Sequence, residues 1–152
     1  RQTEHKYRSS YEQIAKAIRK YSSNPQMDVT DFLELVYFSW LTGNNDMHLK
    51  NFSLYQPKND VRLAPAYDML NVAIANPADD EELALSLNGK KKKIKDSDFE
   101  SAFETCGIPV KVFYNLKKKY VKLFPAFCDR IESSFLDEQM KEKYKQLLAQ
   151  RL

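Results

Sequence analysis

The chain has 152 residues, 43% hydrophobic and 30% charged, a composition that suits one soluble globular domain with a single core. Its longest apolar run, residues 35–41 (LVYFSWL), is interrupted by Ser39 and is far shorter than the ~20 residues a membrane span needs. The net charge of +3 is uneven: residues 1–89 carry nine Lys/Arg against twelve Asp/Glu, and residues 90–152 carry fifteen against nine, so the first half suits a cation and the second an anionic partner or a solvated surface.

Two cysteines, Cys106 and Cys128, lie outside any CxxC spacing and are too few for a disulfide scaffold or a cysteine-based zinc site. Free thiols in a reducing cytoplasm are the expectation. His5 and His48 are the only histidines, which argues against a histidine zinc site. The first residue, Arg1, is not an initiator methionine, so the chain is expected to be a piece of a longer protein.

Ser10 and Gln13 form a capping box, and Tyr11, Ile14, Ala15 and Ile18 follow at helical spacing, predicting a helix that ends near Tyr21. Asp28 is read as the opening of a second helix. Its apolar residues (Val29, Phe32, Leu33, Val36, Tyr37 and Trp40, widened by Leu35, Phe38 and Leu41) go most of the way round, as in a core helix. Gly43 is placed to end it in a left-handed conformation.

Phe52–Leu54 and Val61–Leu63 alternate around the turn sequence QPKND and predict a hairpin closed by Pro65. Leu83, Leu85 and Leu87 alternate into Asn88-Gly89, a strong hairpin-turn signal, predicting a second hairpin that returns over Lys90–Ile94. The remainder reads as helical. A short helix is capped by Ser97 and stopped by Gly107; a long one starts at Pro109 and is kinked or broken at Pro125; a last one runs from about Asp137. The Phe- and Tyr-rich stripe from Phe113 to Phe135 is assigned to the core. The fold class expected is mostly α with two small β-hairpins in one domain spanning residues 1–152.

The stretch with the most chemistry is residues 43–54, GNNDMHLKNFSL, at the exit of the core helix. Asp46 and Asn51 are five residues apart. A turn centred between Lys58 and Asn59 would set Asn51 opposite Ala66 and put Asp68 two residues further, roughly 7 Å along the strand. Asp46, Asn51 and Asp68 then converge at the hairpin's open end. Hard oxygen donors of this kind suit Mg²⁺, which takes one or two carboxylates plus phosphates and water. A carboxylate five residues before an Asn, followed by a second carboxylate beyond a hairpin, is the set of parts found in a kinase catalytic centre.

Three segments together resemble one family. GNNDMHLKNFSL, RLAPAYDML and ELALSLNGKKKKI are similar to the C-terminal kinase lobe of the HipA family, serine/threonine-kinase toxins of bacterial toxin–antitoxin modules. The matching positions are Gly43, Asp46, His48, Lys50, Asn51, Phe52 and Ser53, then Leu63, Pro65, Tyr67 and Asp68, then Leu87, Asn88 and Gly89. Met47 and Leu49 stand where the family often has Gly or Ala. The resemblance implies a protein-kinase-like C-terminal lobe using ATP and Mg²⁺, with Asp46 as catalytic base and Asn51 and Asp68 as metal ligands. His48 and Lys50 would contact phosphate or brace the loop, and Tyr67 would pack. It also implies a HipB-like DNA-binding antitoxin as partner, contact with DNA only through that antitoxin, and a protein substrate such as an aminoacyl-tRNA synthetase.

Gly43, Gly89 and Gly107 are the only glycines, and no G-x-G-x-x-G or P-loop pattern is present. In the family the phosphate-wrapping parts belong to an N-terminal lobe, so the isolated 152 residues are expected to be inactive. The competing expectation is a non-catalytic module that docks an acidic protein or nucleic acid through Lys90–Lys93 and Lys95.

Overall fold

The computed structural model describes residues 4–67 and 78–152. A 3₁₀ turn at Glu4–Tyr7 leads into α1, Tyr11–Tyr21. The capping box forms: Ser10 Oγ accepts from the Gln13 N–H, and Gln13 Oε1 accepts from the Ser10 N–H, each at 3.2 Å. Tyr11, Ala15 and Ile18 are the buried face of α1.

Helix α2, Pro25–Leu41, begins three residues before the expected Asp28. Asn24-Pro25 supplies the start, because proline has no N–H to lose at the first helical position and its φ is already helical. Asp28 serves instead as a fastener. Its Oδ2 accepts from Ser22 Oγ at 2.6 Å and from the Leu63 N–H at 2.9 Å, tying the helix to the hairpin. The helix buries Val29, Phe32, Leu33, Val36, Tyr37, Trp40 and Leu41, as its apolar circumference requires. It ends as expected at Gly43, whose φ is +74°. The Gly43 N–H donates to Trp40 O (3.1 Å) and the Asn44 N–H to Ser39 O (2.8 Å), the paired bonds of a left-handed glycine stop.

The first hairpin forms in the predicted register. Strands β1, Leu54–Tyr55, and β2, Arg62–Leu63, pair antiparallel with Leu54 opposite Leu63 and Tyr55 opposite Arg62. One further bond, Ala64 N–H to Ser53 O at 2.8 Å, extends the ladder toward the loop. Asn51 itself lies in a second 3₁₀ turn, Leu49–Asn51, so the ladder stops before it.

The second predicted hairpin does not form as a pair of strands, and β1–β2 is the one sheet among the described residues. Its turn is correct: Asn88 and Gly89 have φ of +49° and +74°, and Leu87 and Lys90 exchange both backbone bonds. The arms then part. Ser86 O accepts from the Tyr11 N–H at 3.0 Å, and the return arm is held by a side chain, with Glu82 accepting from the N–H groups of Lys93 (2.8 Å) and Ile94 (3.3 Å). Leu83, Ala84, Leu85 and Leu87 are all buried, so the alternation read as a two-faced strand belongs to a segment enclosed in the core.

Helix α3 spans Asp96–Thr105 and is stopped at Gly107, with Lys95 rather than Ser97 in the capping position. Helix α4, Val110–Glu132, starts after Pro109 and runs through Pro125 without a break. Pro125 is exposed, and Phe124 and Phe127 pack against the core beside it. Helix α5, Glu138–Arg151, is capped by Asp137, whose side chain accepts from the Met140 N–H at 2.8 Å. Phe113, Leu116, Tyr120 and Ile131 are buried, but Phe135 is not core: it lies fully exposed in the link between α4 and α5.

The core is strongly aromatic. Tyr37 on α2 meets Phe99 edge-on at 5.1 Å and Phe113 edge-on at 5.4 Å, while Phe99 and Phe113 stack at 5.6 Å. Trp40, the last buried aromatic before the loop, packs on Phe99 at 5.3 Å and donates its indole N–H to Glu82 at 2.7 Å. The end of α2, where the loop begins, is therefore fixed from two sides. Cys106 and Cys128 are free thiols, and burial, the largest cause, pushes Cys106 up to about 11.

Candidate functional site

The loop that leaves α2 is fastened residue by residue. Asn44 is 1% exposed, and its side-chain oxygen accepts from the Asp46 N–H at 3.2 Å. Asn45 donates its amide to Asp79 Oδ2 (3.1 Å) and to Glu81 O (2.9 Å). Met47 is fully buried, and its carbonyl accepts from Tyr11 Oη at 2.9 Å. Burial pushes the Tyr11 phenol well above its ordinary range, so that hydroxyl remains a donor. With Asn45 and Met47 both anchored, Asp46 between them is left half-buried. Met47 thus acts as an apolar plug beneath the loop.

The next turn folds back on itself. The His48 N–H donates to both Asp46 O and Asn51 Oδ1 at 3.0 Å, and the Asn51 N–H returns to His48 O at 3.0 Å. His48 is 8% exposed and Asn51 4%, and His48 Nδ1 is buried with no hydrogen-bond partner among the described residues. Lys50 is exposed. Tyr67, expected to pack, is instead exposed and donates its hydroxyl to Lys50 O at 2.8 Å. Its phenol therefore joins the hairpin's far arm to the loop one residue before Asp68.

The structure brings Asp46, His48 and Asn51 into one turn and leaves Lys50 at its rim. Asp68 lies outside the described residues. Among the described residues no group of three or more His, Cys, Asp or Glu converges to hold a metal. The donor set still fits a hard cation in part. Asp46 offers a carboxylate with access to solvent, and Asn51 contributes a side-chain amide oxygen that also accepts from the His48 N–H. A second acidic recess of about 440 Å³, lined by Asp28, Asp31 and Asp60 among others, is a poorer cation site. Asp28 Oδ2 already accepts two bonds and Asp60 is paired with Arg62 at 2.9 Å.

Two residues of this region carry no local signal in the sequence. Tyr7 Oη donates to Asp46 Oδ1 at 3.0 Å, and its ring meets His48 edge-on at 5.4 Å. Tyr11 holds the loop from beneath. Both come from the N-terminal segment, and only the tertiary fold sets them beside the motif.

The lysine run is largely satisfied within the chain. Lys90 pairs with Asp98 at 2.6 Å, Lys92 with Asp80 at 2.9 Å and Lys91 with Glu81 at 3.8 Å. Burial would raise the Asp98 carboxyl, but bonds from Lys90, the Lys95 N–H and Asn88 outweigh it and hold it below the usual carboxylate range. No helix among the described residues is long and apolar enough to cross a membrane.

Comparison with known proteins gives a consistent picture. Residues 1–135 match the HipA-like C-terminal domain. A protein named "Putative kinase" from Haemophilus influenzae is 43% identical over 65 residues, covering 42% of this chain and 19% of that protein. "Putative kinase Y4dM" from Sinorhizobium fredii is 37% identical over 91 residues, covering 59% of this chain and 22% of that protein. The chain therefore spans about a fifth of the length of the curated relatives it matches. In solved structures, a chain of the Shewanella oneidensis MR-1 HipA–HipB toxin–antitoxin complex with operator DNA superposes with a TM-score of 0.79 at 23% identity, covering 93% of this chain and 34% of that one. That likeness establishes a shared fold, and with a family match over most of its length the chain belongs to the HipA-like C-terminal domain family.

Proposed function

We propose that the chain is the C-terminal catalytic lobe of an ATP- and Mg²⁺-dependent serine/threonine kinase. The observation that carries this reading is the presentation of Asp46. It is held half-buried between two anchored neighbours, on a turn whose fold is closed by the Asn51 side chain.

In this reading Asp46 accepts the proton of the acceptor hydroxyl. Its backbone is fixed by Asn44 and by the Met47 anchor, so little reorganisation is needed when the hydroxyl arrives. Asn51 and Asp68 would hold Mg²⁺, and Lys50, at the exposed rim, would reach the nucleotide phosphates. The bound metal would neutralise charge on the transferred phosphoryl group. His48 keeps a buried Nδ1 that has no partner among the described residues, which suits a contact made only when nucleotide or substrate is present.

The phosphate-wrapping loop would come from a second, N-terminal lobe. A HipB-like antitoxin is the partner proposed, from the shared fold with the HipA–HipB–DNA complex, with DNA approached only through it. The substrate would be a protein hydroxyl, an aminoacyl-tRNA synthetase being the candidate carried by the family resemblance.

The test is γ-phosphoryl transfer from labelled ATP, measured for this lobe alone and for the lobe joined to its nucleotide-binding half. The joined protein should label protein serine or threonine only with Mg²⁺ or Mn²⁺, and EDTA should abolish labelling. The lobe alone should be inactive. Transfer that persists in EDTA would refute the proposal.

A further inference from the structure

We propose that Tyr7 is a positioning residue for Asp46, an inference that rests on the kinase reading above. Tyr7 lies at the end of the first 3₁₀ turn, 39 residues before Asp46, yet its hydroxyl donates to Asp46 Oδ1 at 3.0 Å. The same ring stands perpendicular to the His48 imidazole, at an interplanar angle of 87° and a centroid distance of 5.4 Å. Edge-to-face packing of this kind has a preferred geometry. One aromatic side chain therefore spans two residues of the motif and fixes both.

Backbone bonds alone do not settle where the Asp46 carboxylate points. The loop fixes its N–H through Asn44 and its C=O through His48 N–H, but the side chain can still rotate about χ1. The Tyr7 hydroxyl removes that freedom by engaging Oδ1. Oδ2, which takes part in no hydrogen bond among the described residues, is then presented to the acceptor hydroxyl. A carboxylate has about four lone-pair positions, so the bond to Tyr7 leaves ample capacity for a second donor. Tyr7 is 37% exposed, so its hydroxyl sits at the mouth of the site, where a positioning group can also be seen by solvent and substrate.

Tyr7→Phe deletes the hydroxyl and keeps the ring against His48, so the fold should be unchanged. Two readouts test the proposal. Three-bond couplings from the Asp46 Cγ to its backbone N and C′, measured by NMR on this chain, should report one χ1 rotamer in the parent and rotamer averaging in Tyr7→Phe. In the two-lobed protein, the same substitution should lower kcat about tenfold with KM for ATP unchanged, the mark of lost alignment rather than lost binding. Identical couplings in parent and variant, or a kcat that stays level or rises, would overturn the proposal. A rise would identify the Tyr7 hydroxyl as an occupant of the substrate's place instead. If Asp46→Ala transfers phosphoryl as well as the parent, the kinase reading fails, while the couplings still decide whether Tyr7 orients Asp46.

Discussion

Replacing Asp46 with Ala should lower phosphoryl transfer by the two-lobed protein by about 10²–10⁴-fold, the usual contribution of a positioned general base. The fold should survive, because Asp46 is half-buried and its backbone bonds, to Asn44 Oδ1 and from His48 N–H, do not involve its carboxylate. The loss should appear in kcat, with KM for ATP nearly unchanged, because the carboxylate acts on the acceptor hydroxyl and not on the nucleotide. Steady-state kinetics on both proteins, with circular dichroism to confirm folding, would measure it. A loss of less than about threefold would mean that Asp46 is a turn residue and no more.

The second large effect lies in the core. Phe113→Ala should destabilise the protein by about 3–5 kcal/mol, because it removes a fully buried ring and leaves a cavity that rigid neighbours cannot fill. Phe113 is edge-on to Tyr37 at 5.4 Å, stacked on Phe99 at 5.6 Å and tilted against Phe103 at 5.5 Å. Those rings come from α2 and α3, so one deletion loosens three helices at once. A domain of this size has a total stability of roughly 5–15 kcal/mol, so the variant should sit close to its unfolding transition at ambient temperature. Urea unfolding should show a much lower midpoint at an unchanged slope. A shift corresponding to under about 1 kcal/mol would show that the aromatic cluster repacks and is not the rigid base on which the loop stands. Trp40, which packs on Phe99 from the last turn of α2, links this cluster to the loop three residues later.

The parts of the fold that were legible in the sequence are those decided by near neighbours. The Ser10–Gln13 box, the stop at Gly43, the Asn88-Gly89 turn and the Leu54–Leu63 register each follow from residues within a few positions of one another. The second hairpin and Phe135 are misread for tertiary reasons, whereas the starts of α2 and α3 are displaced by only two or three residues. The return arm after Gly89 is not a strand because the Glu82 carboxylate takes the N–H groups a partner strand would have used. Its outgoing arm gives the Ser86 carbonyl to Tyr11. Phe135 keeps the helical spacing of the core stripe but lies past the end of α4, where nothing covers it.

The candidate site divides in the same way. The spacing of Asp46, His48 and Asn51 is visible in the motif, and all three share one turn. Tyr7 and Tyr11 have no motif, since their role exists only once α1 has packed beside the loop. Asn45 is a middle case. Its amide was countable in the sequence, but its partners, Asp79 and the Glu81 carbonyl, lie more than thirty residues away.

The most direct test of the proposed cation site is titration with Mn²⁺ in the presence of ATP, followed by paramagnetic broadening in the NMR spectrum. Broadening should centre on the Asn51 side-chain amide and on Asp68, fall away through Asp46 and His48, and be displaced by excess Mg²⁺. Broadening centred instead on Asp28, Asp31 and Asp60, with Asn51 and Asp68 unaffected, would contradict it.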